Sequence, residues 1–265
     1  MIENFNFKKK FGQNFITDKN LLESIIKFSG INEKNVAIEI GAGAGALTEK
    51  LCANAKKVIS FEIDKDLEPH LQQLFKNQKN LKLIFDDAMK IPNEKINTLA
   101  EEDFHLIANL PYYITTPLIF KFLENDKCKS LTVMIQKEVA ERIASKEGTK
   151  NYGVLSVTIG AIATTKICKI VPKEMFTPTP QVDSAIIHIE KKETNINYSS
   201  LKNLVQSAFS MRRKTLQNNL TKSFMTKQEF LLVCDKLKIA PNCRAEQLTI
   251  DQFKQLAKEV ENLKK

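Results

Sequence analysis

Short apolar runs rich in Val, Ile, Leu and Phe recur along the first two-thirds of the chain. They are VAIEIG (36–41), VISFEID (58–64), LKLIFDDA (81–88), HLIANLPY (105–112) and LTVMIQ (131–136). Near-continuous apolar composition belongs to strands buried on both faces. Between the runs lie stretches of helical spacing, such as ALTEKLCANA (46–55) and KDLEPHLQQLFKN (65–77). Strand–helix alternation of this kind predicts a parallel sheet covered by helices on both sides.

Two further β-rich segments follow, VLSVTIGAIATTKICKIV (154–171) and SAIIHIE (184–190). With no long helix between them, they are expected to form an antiparallel hairpin closing one sheet edge. The intervening FTPTPQVD (176–183) carries prolines that exclude helix and central strand, so a rigid surface loop is expected. After KKETN (191–195) the period changes. Leu201, Leu204, Val205 and Ala208 fall at i, i+3, i+4 and i+7, one face of a helix. EFLLVCDKLKI (229–239) and LTIDQFKQLAKEVENL (248–263) continue helically. The expected organisation is an α/β domain over 1–191 and a small helical domain over 192–265.

A 265-residue chain that is 43% hydrophobic has material for an ordinary core. No apolar run approaches the ~20 residues of a membrane span. The first residues lack the apolar stretch and cleavage site of a secretory signal, so a cytoplasmic address is expected. Five cysteines without CxxC or Cys/His ligand spacing point to reduced, structural thiols and no metal.

The net charge of +9 changes the picture through its distribution. Thr194 through Gln228 contain no Asp or Glu but six basic residues, Lys202, Arg212, Arg213, Lys214, Lys222 and Lys227. Asn4 through Thr17 carry Lys8, Lys9 and Lys10 and no acid. A general lysine bias would leave acids scattered among them. Basic, acid-free segments are the footprint of a polyanion partner.

The candidate chemistry sits at strand ends. The first run enters GAGAGALT (41–48), where three of the chain's eight glycines fall within five residues. Glycines let backbone approach a ligand, and a following helix offers free N–H groups. Glu62, about 20 residues beyond, is placed to accept the hydroxyls of a ribose. Gly41, Gly43 and Ala46 also satisfy a dinucleotide fingerprint, so a nicotinamide dehydrogenase stays open on these residues alone. Asp87, at the end of the third run, can accept a hydrogen bond from an adenine amine.

The fourth run ends in Asn109-Leu110-Pro111-Tyr112. The N6 of adenine is a poor nucleophile because its lone pair is delocalised into the ring. Methylating it requires the amine to be held in line with the methyl donor, so orientation is the large term. Asn109 can offer a side-chain carbonyl to the amine. Leu110 can offer a backbone carbonyl held extended by Pro111. Tyr112 adds a flat face for the base.

Taken together, these residues resemble the ribosomal RNA adenine dimethyltransferases, in their small-subunit (KsgA) branch. FGQNFITD (11–18), IEIGAGAGALT, FEID, DDAM and NLPY are similar to that family's successive motifs. QKEVAERI (136–143), YGVLSV (152–157), FTPTPQVDSA (176–185), AFSMRRKTLQNNL (208–220) and RAEQL (244–248) continue the match over nearly the whole chain. The resemblance implies a Rossmann-like class I methyltransferase sheet with a small C-terminal helical domain. It implies S-adenosyl-L-methionine as cofactor, contacted by Asn14, Ile16, Gly41, Gly43, Glu62, Asp87 and Asn109. It assigns Asn109, Leu110, Pro111, Tyr112 and Phe176 to the target adenine, with Phe176 covering the second face of the base.

Lys8, Lys9, Lys10, Arg212, Arg213 and Lys214 are then expected at RNA. The implied partner is the small ribosomal subunit precursor with its 16S rRNA, met by a monomer without membrane or metal. Ala42, Ala44 and Tyr113 depart from residues common in the family. Two alternatives stand beside this reading within the RNA field: a large-subunit methyltransferase of the antibiotic-resistance type, and an assembly factor acting mainly by binding.

Overall fold

Burial on both faces makes the central strands. In the computed structural model, which describes residues 15, 16 and 18–263, every residue of VAIEI (36–40) is buried, including Glu39. The chain opens with β1 (Phe15–Ile16) and α1 (Lys19–Ser29), the latter capped by the Asp18 carboxylate accepting from the Leu21 N–H. Five strand–helix steps follow: β2 (Val36–Ile40), α2 (Ala46–Asn54), β3 (Lys57–Phe61), α3 (Glu68–Leu74), β4 (Leu81–Ile84), α4 (Asn93–Ala100), β5 (Phe104–Asn109), α5 (Thr115–Glu124), β6 (Cys128–Gln136) and α6 (Lys137–Ile143). Next come α7 (Val154–Gly160), β7 (Ala163–Val171), β8 (Phe176–Thr177) and β9 (Ser184–Lys191). The chain ends in α8 (Tyr198–Ala208), α9 (Leu216–Leu220), α10 (Lys227–Leu237) and α11 (Ile250–Leu263).

Seven strands form one sheet in the order β4-β3-β2-β5-β6-β9-β7. From β4 to β6 neighbours are parallel, and β9 runs antiparallel to β6. The chain steps outward from β2 through β3 to β4, then returns to β5 on the other side of β2. That reversal opens a crevice at the carboxyl ends of β2 and β5, where ligands of such sheets bind. β1 and β8 form a separate two-stranded ribbon pairing Ile16 with Phe176.

The chain divides into two compact units. One comprises the described residues up to Ala140 with Lys166–Lys191, and holds most of the sheet. The other comprises Glu141–Thr165 with Lys192 onward, so it begins earlier in the chain than the expected boundary at 192. Inside this second unit the Tyr152 hydroxyl donates to the Leu248 carbonyl at 2.9 Å, and α7 packs against α8 and α11.

The run from 154 corrects the expectation of a strand: residues 154–160 are helix, and strand begins at Ala163. Leu155 through Ile159 are all buried, so α7 is enclosed on every side. A helix buried all round shows no amphipathic period, and its β-branched residues then read as strand. Packing overrides propensity here. The helix face read from Leu201, Leu204, Val205 and Ala208 is fully buried in α8, as expected. All five cysteines are free thiols. Among the described residues no helix is long and apolar enough to cross a membrane.

Candidate active site

The pocket forms where β2, β3 and β5 end. Gly41, Gly43 and Gly45 all have positive φ, which turns the chain sharply from β2 into α2. At Gly45 a side chain is excluded twice over: φ is 89°, and a Cβ would meet Leu74 Cδ2 at 2.8 Å. A Cβ on Gly41 would lie 4.0 Å from the Asn109 carbonyl, so the glycine loop and the end of β5 are close neighbours.

Glu62 follows β3 and is only 5% exposed. One carboxylate oxygen accepts the Gly43 N–H at 2.8 Å and the other accepts the Asp64 N–H at 2.8 Å. Each oxygen keeps a second lone pair for a ligand hydroxyl. Burial is the largest influence on its pKa and raises it, while the two N–H donors lower it. The strand itself stops at Phe61, and β4 stops at Ile84. Asp87 therefore lies on a loop three residues beyond its strand. There its carboxylate accepts the Met89 N–H at 2.9 Å, and the Lys121 ammonium ties the same loop through the Met89 and Ile91 carbonyls.

Asn109 is the last residue of β5, and the Leu110 N–H donates to the Met134 carbonyl of β6 at 3.1 Å. Leu110 is buried, and no donor among the described residues reaches its carbonyl. Pro111 starts a tight turn over Tyr112–Ile114, and its carbonyl accepts the Thr115 hydroxyl. The Tyr112 hydroxyl shares a hydrogen bond of 2.7 Å with Ser184 of β9, which fixes the ring. Burial raises the phenol's pKa and this hydrogen bond opposes the rise, so the hydroxyl stays neutral near pH 7.

The pocket thus collects Ile16, Gly41, Gly43, Glu62, Asp87, Asn109, Leu110, Pro111 and Tyr112, all named from the sequence. It does not collect Phe176. That side chain is 3% exposed and belongs to the core cluster that also holds Ile16, Leu22 and Ile25. Asn14, Lys8, Lys9 and Lys10 lie outside the described residues. Arg212, Arg213 and Lys214 sit in the second unit between α8 and α9. Arg212 is tied internally. Its guanidinium donates to the Lys150 carbonyl at 3.0 Å and lies 3.7 Å from the Glu246 carboxylate. Arg213 and Lys214 are exposed.

Sequence reasoning passed over Glu39, whose only signal is a charge in the middle of an apolar strand. It is fully buried. One oxygen accepts the Thr48 and Ser60 hydroxyls at 2.6 Å each, joining α2 and β3 to β2, and the other has no partner. Burial pushes its carboxyl up to about 7, against the lowering by those two hydroxyls and with a further rise from the nearby Glu62 charge.

The lining fits a cationic nucleoside. It carries the carboxylates of Glu62, Asp86 and Asp87 and the apolar side chains of Ile16, Ile63 and Met89, with no Lys or Arg among the described residues. A net negative pocket attracts the sulfonium of S-adenosylmethionine and repels the pyrophosphate of a dinucleotide. This charge pattern, with the idle Asn-Leu-Pro-Tyr, removes support for the dehydrogenase alternative.

The model of the family described as "Ribosomal RNA adenine dimethylase" matches residues 4–262. The ribosomal RNA small subunit methyltransferase A of Clostridium botulinum (strain ATCC 19397 / Type A) is 43% identical over 261 residues, covering 96% of this chain and 94% of the relative. Among solved structures, a dimethyladenosine transferase from Plasmodium falciparum superposes with a TM-score of 0.82 at 28% identity, covering 94% of this chain and 98% of that one. The 23S rRNA methyltransferase ErmE shares the fold, with a TM-score of 0.73 at 22% identity, covering 94% of this chain and all of the other.

Two outcomes follow from the two buried carboxylates. Glu62→Ala removes the clasp on the loop along with a charge-assisted ligand contact worth about 1.5–3 kcal/mol, so calorimetry should find S-adenosylmethionine bound roughly 10–100-fold more weakly. Unchanged affinity would remove Glu62 from the cofactor site. For Glu39, a folded-state pKa near 7 against an ordinary 4.5 means the native protein keeps a proton that the unfolded chain has lost. Stability contributed by this group therefore falls as pH rises from about 4.5 through 7. Urea unfolding at pH 5 and pH 8 should show Glu39→Gln losing less stability across that interval than the parent, by on the order of 3 kcal/mol. Parallel profiles for the two proteins would contradict this.

Proposed function

The chain belongs to the ribosomal RNA adenine dimethylase family, and we propose that it methylates N6 of two adjacent adenosines in small-subunit (16S) rRNA to N6,N6-dimethyladenosine. One observation carries the reading to chemistry: Asn109-Leu110-Pro111-Tyr112 ends β5 against the glycine loop of an acidic nucleoside pocket. The small-subunit target is favoured over the large-subunit alternative by the 43% identity to a small subunit methyltransferase A.

Bound S-adenosylmethionine supplies an electrophilic methyl group on sulfur. The protein's part is to hold it and to aim the amine. Gly41, Gly43, Glu62 and Asp87 hold the nucleoside half, with Ile16 as an apolar wall. Asn109 Oδ1 and the Leu110 carbonyl accept the two N6 hydrogens, which draws the amine towards tetrahedral geometry and points its lone pair at the methyl. The Leu110 carbonyl suits this because no donor among the described residues occupies it. Tyr112, fixed by Ser184, presents its ring to the base. Phe176, paired with Ile16 across the β1–β8 ribbon and buried in the same cluster, supports that apolar wall. No strong base is needed, since the amine proton is acidified once the methyl is attached.

The second unit and Lys8, Lys9 and Lys10 supply the RNA grip. Arg213 and Lys214 are the phosphate contacts of the 212–214 triplet, while Arg212 holds the loop in place through Lys150 and Glu246. A small-subunit precursor as substrate, a monomeric state and a cytoplasmic address complete the proposal.

The direct test incubates the protein with unmethylated small subunits and S-adenosylmethionine and measures dimethyladenosine by mass spectrometry. Dimethyladenosine should form. A product that stops at monomethyladenosine under excess cofactor would overturn the assignment. In the same assay Asn109→Ala should cut turnover at least ~100-fold, while subunit affinity, set mainly by phosphates, stays within a few-fold. Arg213→Ala with Lys214→Ala should flatten the salt dependence of RNA binding by about 0.7–0.9 in slope per lost contact. An unchanged slope would place both side chains away from RNA.

A further inference from the structure

Two bulky apolar side chains of the pocket wall stay open to solvent, Ile63 at 37% and Tyr113 at 56%. Large apolar groups left exposed in a concave site mark surface that a ligand completes. Tyr113 stands beside Tyr112 in the same turn, yet their surroundings differ. Tyr112 is half-buried and held on Ser184. The Tyr113 hydroxyl has no hydrogen-bond partner among the described residues. Tyr113 lines the same pocket as Glu62, Ile63 and Asp87. Glu62 is the ribose acceptor and Asp87 the adenine acceptor of the cofactor assignment, so an exposed ring on this wall has the nucleoside within its own pocket.

We propose that Tyr113 packs on the nucleoside half of bound S-adenosylmethionine and, with Ile63, retains the cofactor, while Tyr112 serves the target base. Both the cofactor contact and the division of labour with Tyr112 rest on the reading given above. A flat aromatic ring closing over an adenine gains stacking without a directional hydrogen bond, which explains why this phenol is left unpartnered and exposed. It also gives a reason for an aromatic at a position where a small polar side chain would leave the nucleoside open to water.

Binding alone tests this, with no methyl transfer involved. By calorimetry, Tyr113→Ala should bind S-adenosylhomocysteine about ten-fold more weakly than the parent, and Tyr113→Phe within about twofold of it. Methylthioadenosine, which lacks the amino-acid half, should lose affinity by the same factor. The chain has no tryptophan, so Tyr113→Trp installs a single emitter at this position. Its emission should change on saturation with S-adenosylhomocysteine. Parental affinity in Tyr113→Ala, a loss confined to S-adenosylhomocysteine and absent for methylthioadenosine, or an emission blind to the ligand would each overturn the proposal. Failure of the RNA reading would look different: cofactor binding would behave as described while no adenosine is methylated.

Discussion

The site hangs on the Glu62 carboxylate. Its two oxygens reach in opposite directions along the chain, one to the Gly43 N–H of the first loop and one to the Asp64 N–H of its own turn. A loop of glycines at positive φ has little intrinsic preference for one shape, and a buried carboxylate accepting its N–H selects one. Because Glu62 is buried, the interaction is screened little by water, and the cost of its desolvation is offset by those two donors. The group that shapes the loop is therefore also the one proposed to hold the cofactor.

Glu39 performs a related task one strand over. It gathers hydroxyls from α2 and β3 onto a single oxygen, so the helix that begins at the glycine loop is registered against the sheet beneath it. The Glu62 charge adds to the burial that raises the Glu39 carboxyl and so opposes its ionisation. A cationic ligand in the pocket relieves that opposition, which makes the acidity of the site a part of its selectivity.

Much of this was legible before any coordinates. The apolar runs marked the sheet because strands buried on both faces leave no polar alternation. The glycine loop, Glu62 and Asn109 through Tyr112 stand out as short contiguous motifs at strand ends, and they line one pocket. Other features were hidden for physical reasons. α7 read as strand because full enclosure erases the 3.6-residue period. The second unit's early start at Glu141 was invisible because the bond from Tyr152 to Leu248 spans 96 residues. Phe176 read as a stacking wall from its proline-stiffened neighbours, whereas pairing with Ile16 turned it into the core. Tyr113 stands out in the sequence only as a departure from the family's usual residues; its exposure inside a pocket gives that departure a meaning.

The discontinuity of the second unit bears on how the chain is made. A ribosome releases residues 141–165 before β9 and well before α8 and α11 exist. During that interval α7 has none of the helices it will pack against, and its Leu155–Ile159 stretch is apolar or β-branched at four of five positions. The growing chain must carry this segment without α8 for roughly forty to fifty residues of synthesis, which at about 5–20 residues per second lasts on the order of two to ten seconds. Until α8 is made, the nascent chain exposes an apolar stretch that the finished fold buries, a stretch open to association with other chains.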